Sequence, residues 1–129
     1  MAQSFDPARY AVLVVEDDAL VRFGAVDLCE EAGFTTYEAR NAEQAIRLLE
    51  RHSEIRVLFT DVEMPGSMDG LKLARAVRDR WPPVSIIVTS GRMQVGKEDL
   101  PENGLFFSKP YPPRGIIKAL NDIAAQIMN

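Results

Sequence analysis

Charged and hydroxyl side chains stand directly after short apolar runs at four places in this chain. Glu16, Asp17 and Asp18 follow AVLVV, Asp61 follows VLFT, Thr89 and Ser90 follow SIIV, and Lys109 follows LFFS. Runs that are short, continuous and rich in β-branched residues have the pattern of strands buried on both faces. The polar groups therefore fall at the carboxyl ends of strands. Carboxylates gathered at neighbouring strand ends repel one another, and such a cluster is tolerable where a cation or a lysine offsets its charge. Oxygen ligands with few protein groups suit Mg²⁺, which keeps several waters and is commonly shared with a phosphoryl group. Zinc would call for His or Cys, and His52 and Cys29 fall in helical stretches away from this edge.

Each of these residues also has an ordinary explanation when taken alone. Asp17 or Asp18 would serve merely to cap the helix that follows, since Asp is a favoured N-cap. Asp61 would be a loop carboxylate before the Met64-Pro65-Gly66 turn, Lys109 a solvated surface lysine, and Thr89 and Ser90 the polar end of a buried strand. What speaks for a site is that all of them occupy strand carboxyl ends together.

The elements that must position these groups alternate along the chain. Ala11 to Val15, Val57 to Thr60 and Ser85 to Val88 are the strong strand candidates, with Thr35 to Ala39 and Leu105 to Ser108 weaker. Between them lie segments of helical period. Val21, Ala25, Leu28, Cys29 and Ala32 make one apolar stripe that Gly33 ends, with Asp18 placed to cap its start. A second helix opens at Asn41, with Gln44 close to a capping box, and carries Ala42, Ala45, Ile46 and Leu49 inward. A third runs from about Gly70 to Arg80 with Leu71, Ala74 and Val77 inward and stops before Pro82-Pro83. The last uses Ile116, Leu120, Ile123, Ala124 and Ile127. Gly91 to Gly104 is the exception: it is rich in Gly and Pro, with almost no apolar periodicity, so the helix expected after the fourth strand is short or absent. Alternating strands and helices imply a parallel sheet with right-handed crossovers and helices on both faces. In such sheets ligands sit outside the carboxyl ends of the strands, where the strand order reverses.

Length and charge narrow the function. The 129 residues, 47% hydrophobic and 26% charged, suit one domain. A net charge of -4 argues against direct binding to nucleic acid. The single cysteine cannot form an internal disulfide, no signal-peptide pattern opens the chain, and no apolar run approaches the roughly 20 residues that span a bilayer. The expectation is a cytoplasmic protein without membrane contact, with residues 1-9 a flexible tail.

VLVVEDD, LFTDVEMPGSMDG, IIVTSG and FFSKP, in this order and spacing, resemble the receiver domain of two-component response regulators over about residues 11 to 128. The resemblance implies an α/β, flavodoxin-like doubly wound sheet of five parallel strands in the order 2-1-3-4-5. The receiver domain would span residues 10-129. It further implies that Asp61 is the phosphoacceptor, that Glu16 and Asp17 with Asp61 and the main-chain carbonyl of Glu63 hold Mg²⁺, and that Lys109 pairs with the phosphoryl group. Thr89 would be the switch hydroxyl, Phe106 either the rotameric aromatic switch or a core aromatic, and Lys109-Pro110 a cis bond. The expected partners are a histidine kinase or a histidine phosphotransferase, met by a stand-alone receiver acting as a monomer or as a dimer formed on phosphorylation. No catalysis is expected beyond the domain's own phosphorylation and dephosphorylation.

Two departures from the family pattern stand out. The turn MPGSMDG is one residue longer than the commonest form, and the segment after the fourth strand is poor in helix formers. Other readings of the residues are weaker. An aspartyl-phosphate phosphatase would bring a DxD pattern after the third strand, where Asp61 is followed by Val62 and Glu63. A dinucleotide binder would need a Gly-rich turn that EDDALVR lacks. A pseudo-receiver that binds proteins without phosphorylation would need a defect that these residues do not display.

Overall fold

Every strand in the sheet is parallel to its neighbours, because each connection carries the chain back across a face before the next strand begins. The computed structural model describes residues 9–128, so the tail expected over 1-9 lies outside the described residues except for Arg9, as does Asn129. The elements run β1 (Ala11–Val15), α1 (Ala19–Glu31), β2 (Thr35–Ala39), α2 (Ala42–Arg51), β3 (Ile55–Asp61), α3 (Gly70–Arg80), β4 (Ser85–Ser90), β5 (Leu105–Ser108) and α4 (Pro113–Met128). The sheet order is β2-β1-β3-β4-β5, the doubly wound arrangement. Among the described residues no helix is long and apolar enough to cross a membrane.

Period-two alternation divides the continuous apolar runs between two cores. Ala11, Leu13, Val15, Leu58, Ile86 and Val88 point to the face covered by α2 and α3, through Ala45, Leu49, Leu73 and Val77. Val12, Val14, Val57, Phe59 and Ile87 point to the other, covered by α1 and α4 through Ala25, Cys29, Ile116 and Leu120. Both faces of the central strands are thus dry, which is why those strands show no polar alternation. The expected helix stripes face inward, with Val21, Leu28, Ala32, Ile46, Ala124 and Ile127 only half-buried.

Local signals end the helices where the sequence suggests. Gly33 takes a positive φ of 96° just after α1. The Asn41 side chain accepts from the Gln44 amide, and the Gln44 side chain accepts from the Arg40 amide. Between β4 and β5 a single 3-10 turn, Lys97–Asp99, stands in place of a full helix. The Gly and Pro content of that stretch accounts for it, together with Asn103 at a φ of 63°. The strands β3 and β4 run further than their apolar cores: Asp61, Thr89 and Ser90 are the last residues of strands, not the first residues beyond them. Pairing with the neighbouring strand extends the ladder through polar residues that hydropathy alone would leave out.

Candidate functional site

The carboxyl ends of β1 and β3 meet where the strand order reverses, and the turn after β1 carries the first acidic groups. Asp18 caps α1, its Oδ1 accepting from the Leu20 and Val21 amides at 2.9 and 3.1 Å. That resolves the choice between Asp17 and Asp18: the second is consumed by the helix, and the first is left exposed at the cleft. Glu16 is buried, with both carboxylate oxygens engaged. Its Oε2 accepts from the Asp18 amide at 3.0 Å and its Oε1 from Lys109 Nζ at 2.7 Å. The Arg22 guanidinium holds the same turn from beneath, donating to the Glu16 carbonyl and to Glu38 Oε1, each at 2.9 Å.

Asp61, a residue only 5% exposed, closes β3. Its Oδ2 lies 3.3 Å from Lys109 Nζ, while its buried Oδ1 has no hydrogen-bond partner among the described residues. Glu16, Asp17 and Asp61 each offer an oxygen within 4.8 Å of the others. Burial, reinforced by the charge of Glu16 and partly offset by Lys109, pushes the Asp61 pKa up to about 6. For Lys109, burial acts against the ammonium, yet the Glu16 hydrogen bond and the Asp61 and Glu16 charges outweigh it and hold its pKa above the ordinary lysine value. Three oxygen donors, two of them buried side by side, and an orphaned carboxylate oxygen fit a hard divalent cation.

The β4 and β5 ends complete the site. Thr89 is buried and pairs in register with Asp61, and its carbonyl accepts from the Val62 amide at 2.8 Å. The Lys109 amide donates to the Ser90 carbonyl at 2.9 Å, and the Lys109-Pro110 bond is cis, as the resemblance implies. Phe106 is half-buried against the core under α2 and α3, where an ordinary core aromatic would also sit. Asp17, Asp61, Glu63, Met64, Arg92 and Lys109 line an open cleft of about 710 Å³. Thus Asp17, Asp61, Glu63 and Lys109 line one cleft, Glu16 is buried against Lys109, Thr89 is buried in register with Asp61, and Phe106 packs against the core rather than lining the cleft.

Two contributors escape sequence reasoning. The side chain of Glu63, expected to matter only through its carbonyl, accepts from Ser90 Oγ at 2.6 Å and from the Gly91 amide at 3.3 Å. Gly70 begins α3 so close to β3 that a Cβ there would lie 1.9 Å from the Asp61 carbonyl oxygen. A glycine capped by Asp69 at a helix start is a visible signal, but its reason is the strand it touches.

Similarity to known proteins identifies the family. A family model described as the response regulator receiver domain matches residues 12–121. The sensor kinase CckA of Brucella abortus is 34% identical over 103 residues, covering 78% of this chain and 11% of that protein. The aerobic respiration control protein ArcA of Escherichia coli is 24% identical over 127 residues, covering 92% of this chain and 50% of that protein. The chain therefore spans half or less of the length of these relatives. A response regulator receiver protein from Pseudomonas putida superposes with a TM-score of 0.78 at 31% identity, covering 89% of this chain and 98% of that one. The chain belongs to the response regulator receiver domains, the signalling modules of two-component systems.

Proposed function

We propose that this domain takes a phosphoryl group onto Asp61 from a phosphohistidine of a histidine kinase or histidine phosphotransferase, in a Mg²⁺-dependent reaction. The observation that carries the reading is the buried, unpartnered Oδ1 of Asp61 at the floor of an open cleft, with a lysine ammonium against its other oxygen. Asp17, Asp61 and the Glu63 carbonyl would hold the cation, with Glu16 beside them. When bound, it offsets the charge spread over the transferred phosphoryl oxygens.

The chain's own groups do the rest. The Asp61 carboxylate donates a lone pair to phosphorus; the O–P bond forms as the P–N bond to the imidazole breaks, and the departing imidazole takes a proton from solvent. Before transfer, Lys109 lies between Glu16 and Asp61 and offsets both charges. After transfer it is placed to pair with a phosphoryl oxygen. Glu16, fixed by the Asp18 amide, keeps Lys109 oriented. Thr89, in register with Asp61, donates its hydroxyl to the new phosphoryl group, and the resulting shift of the β4 end biases the protein between two states. Beside the site, Leu20 is 82% exposed and Phe23 52% exposed on the first turns of α1, an apolar foothold for the donor protein.

Intact-mass measurement after incubation with phosphoramidate and Mg²⁺ tests the reading. The wild type is expected to gain one phosphoryl group, and the gain to vanish with EDTA or in Asp61→Asn. A folded, Mg²⁺-binding wild type that stays unmodified with both phosphoramidate and a phosphohistidine donor would overturn it and favour a phosphorylation-independent binding module.

A further inference from the structure

Glu63 faces two ways. Its residue lies two places beyond Asp61, so its main chain borders the acceptor, while its carboxylate reaches across the cleft to the end of β4. The Ser90–Glu63 bond of 2.6 Å is a short, charge-assisted hydrogen bond. The same Ser90 Oγ accepts from the Arg92 and Met93 amides at 3.2 and 2.9 Å. Glu63 therefore holds the hydroxyl that in turn organises the first residues after β4. That stretch has little else to order it. No full helix follows, and the next regular feature is the 3-10 turn at Lys97–Asp99, where the Arg75 guanidinium donates to the Asp99 carbonyl.

We propose that the Glu63 side chain is a positioning residue that tethers the end of β4 in the unphosphorylated protein and releases it when Asp61 is phosphorylated. The inference rests on the reading of Asp61 as phosphoacceptor. An acyl phosphate places more negative charge than a carboxylate in the cleft that Glu63 borders, so the two anions repel. Thr89, adjacent to Ser90 in the chain and in register with Asp61, is drawn toward the phosphoryl group. Both effects strain a bond that tolerates little lengthening. A device of this kind suits a segment without helical hydrogen bonds of its own, because a few side-chain contacts decide its conformation.

Backbone hydrogen exchange, read at Arg92 and Met93, tests the tether on the full chain with and without phosphoramidate and Mg²⁺. These two amides bond to Ser90, while Glu63 holds both Ser90 and the neighbouring Gly91 amide, so an effect of Glu63 on them passes through the end of β4 that those two contacts fix. In Glu63→Ala, which keeps the main-chain carbonyl, they are expected to exchange on the order of tenfold faster before any phosphodonor is added. Phosphorylated wild type should approach the same rates. Glu63→Gln retains an acceptor for Ser90 but not the charge, so it should protect these amides before phosphorylation and release them less afterwards. Adding Glu63→Ala to Ser90→Ala should change these rates far less than Glu63→Ala does alone, since only the longer Gly91 contact remains to be lost. Unchanged exchange in Glu63→Ala, alongside phosphoryl uptake by the wild type, would overturn the tether alone. Absence of phosphoryl uptake by the wild type from both phosphoramidate and a phosphohistidine donor would remove the acceptor reading, and with it the release step, even if Glu63→Ala loosens the loop.

Discussion

Replacing Asp61 by Asn should make the metal-free protein more stable at pH 7.5, although it removes the residue on which the proposed chemistry depends. Burial and the neighbouring Glu16 raise the Asp61 pKa from 3.8 to about 6. A raised carboxyl pKa means that the folded protein binds the proton more tightly than the unfolded chain does, so ionisation disfavours the folded state above both values. At about 1.4 kcal/mol per pKa unit, the gap corresponds to about 3 kcal/mol. The cleft opens to water, and Asn gives up the ionic contact with Lys109, so about half of that is the expected gain. For a chain of this length, about 1.5 kcal/mol raises Tm by about 6 °C. The penalty is fully present in wild type above the folded pKa and fades as pH falls from about 6 toward 3.8. The advantage of Asp61→Asn should therefore shrink over the same range. Circular dichroism melts in EDTA between pH 4 and 8 read this directly. Millimolar Mg²⁺ at pH 7.5 should narrow the gap, because the carboxylate binds the cation better than the amide. Equal or lower stability of Asp61→Asn at pH 7.5 in EDTA, or a gap that does not narrow below pH 5, would refute the reasoning.

Two further substitutions separate scaffold from site. Gly70→Ala forces a Cβ into the Asp61 carbonyl oxygen, so urea denaturation should show a loss of about 2 kcal/mol, with slowed phosphoryl uptake as the start of α3 moves off β3. Asp18→Ala should cost about 1 kcal/mol of stability through the lost cap of α1. Because Asp17 and not Asp18 belongs to the carboxylate cluster, calorimetric titration should find Mg²⁺ affinity changed by less than about threefold in that variant.

Much of this architecture is legible in the amino-acid sequence. The apolar runs around Leu13, Leu58 and Ile87 lack alternation because both faces of the strands are covered, and that is legible in the local residue pattern. Helix stripes and caps are equally local, as Asp18, Asn41 and Gly33 illustrate. The poverty of helix formers between Gly91 and Gly104 likewise foretells a connection reduced to one 3-10 turn. Strand ends were less visible, since Asp61 and Ser90 join the ladder through main-chain pairing that hydropathy does not report.

Residue types at strand ends determined that Glu16, Asp17, Asp61, Thr89 and Lys109 would share one edge, because a parallel sheet delivers every carboxyl end to the same side. Only the tertiary structure decided which of those groups touch. Glu16 and Lys109 are 93 residues apart in the chain and 2.7 Å apart in space. The reach of Glu63 to Ser90, and the need for Gly70 beneath Asp61, likewise depend on how α3 and the loop after β4 pack on the sheet. Side-chain hydrogen bonds and steric contacts change over fractions of an ångström, a scale set by the packed core and carried by no local pattern.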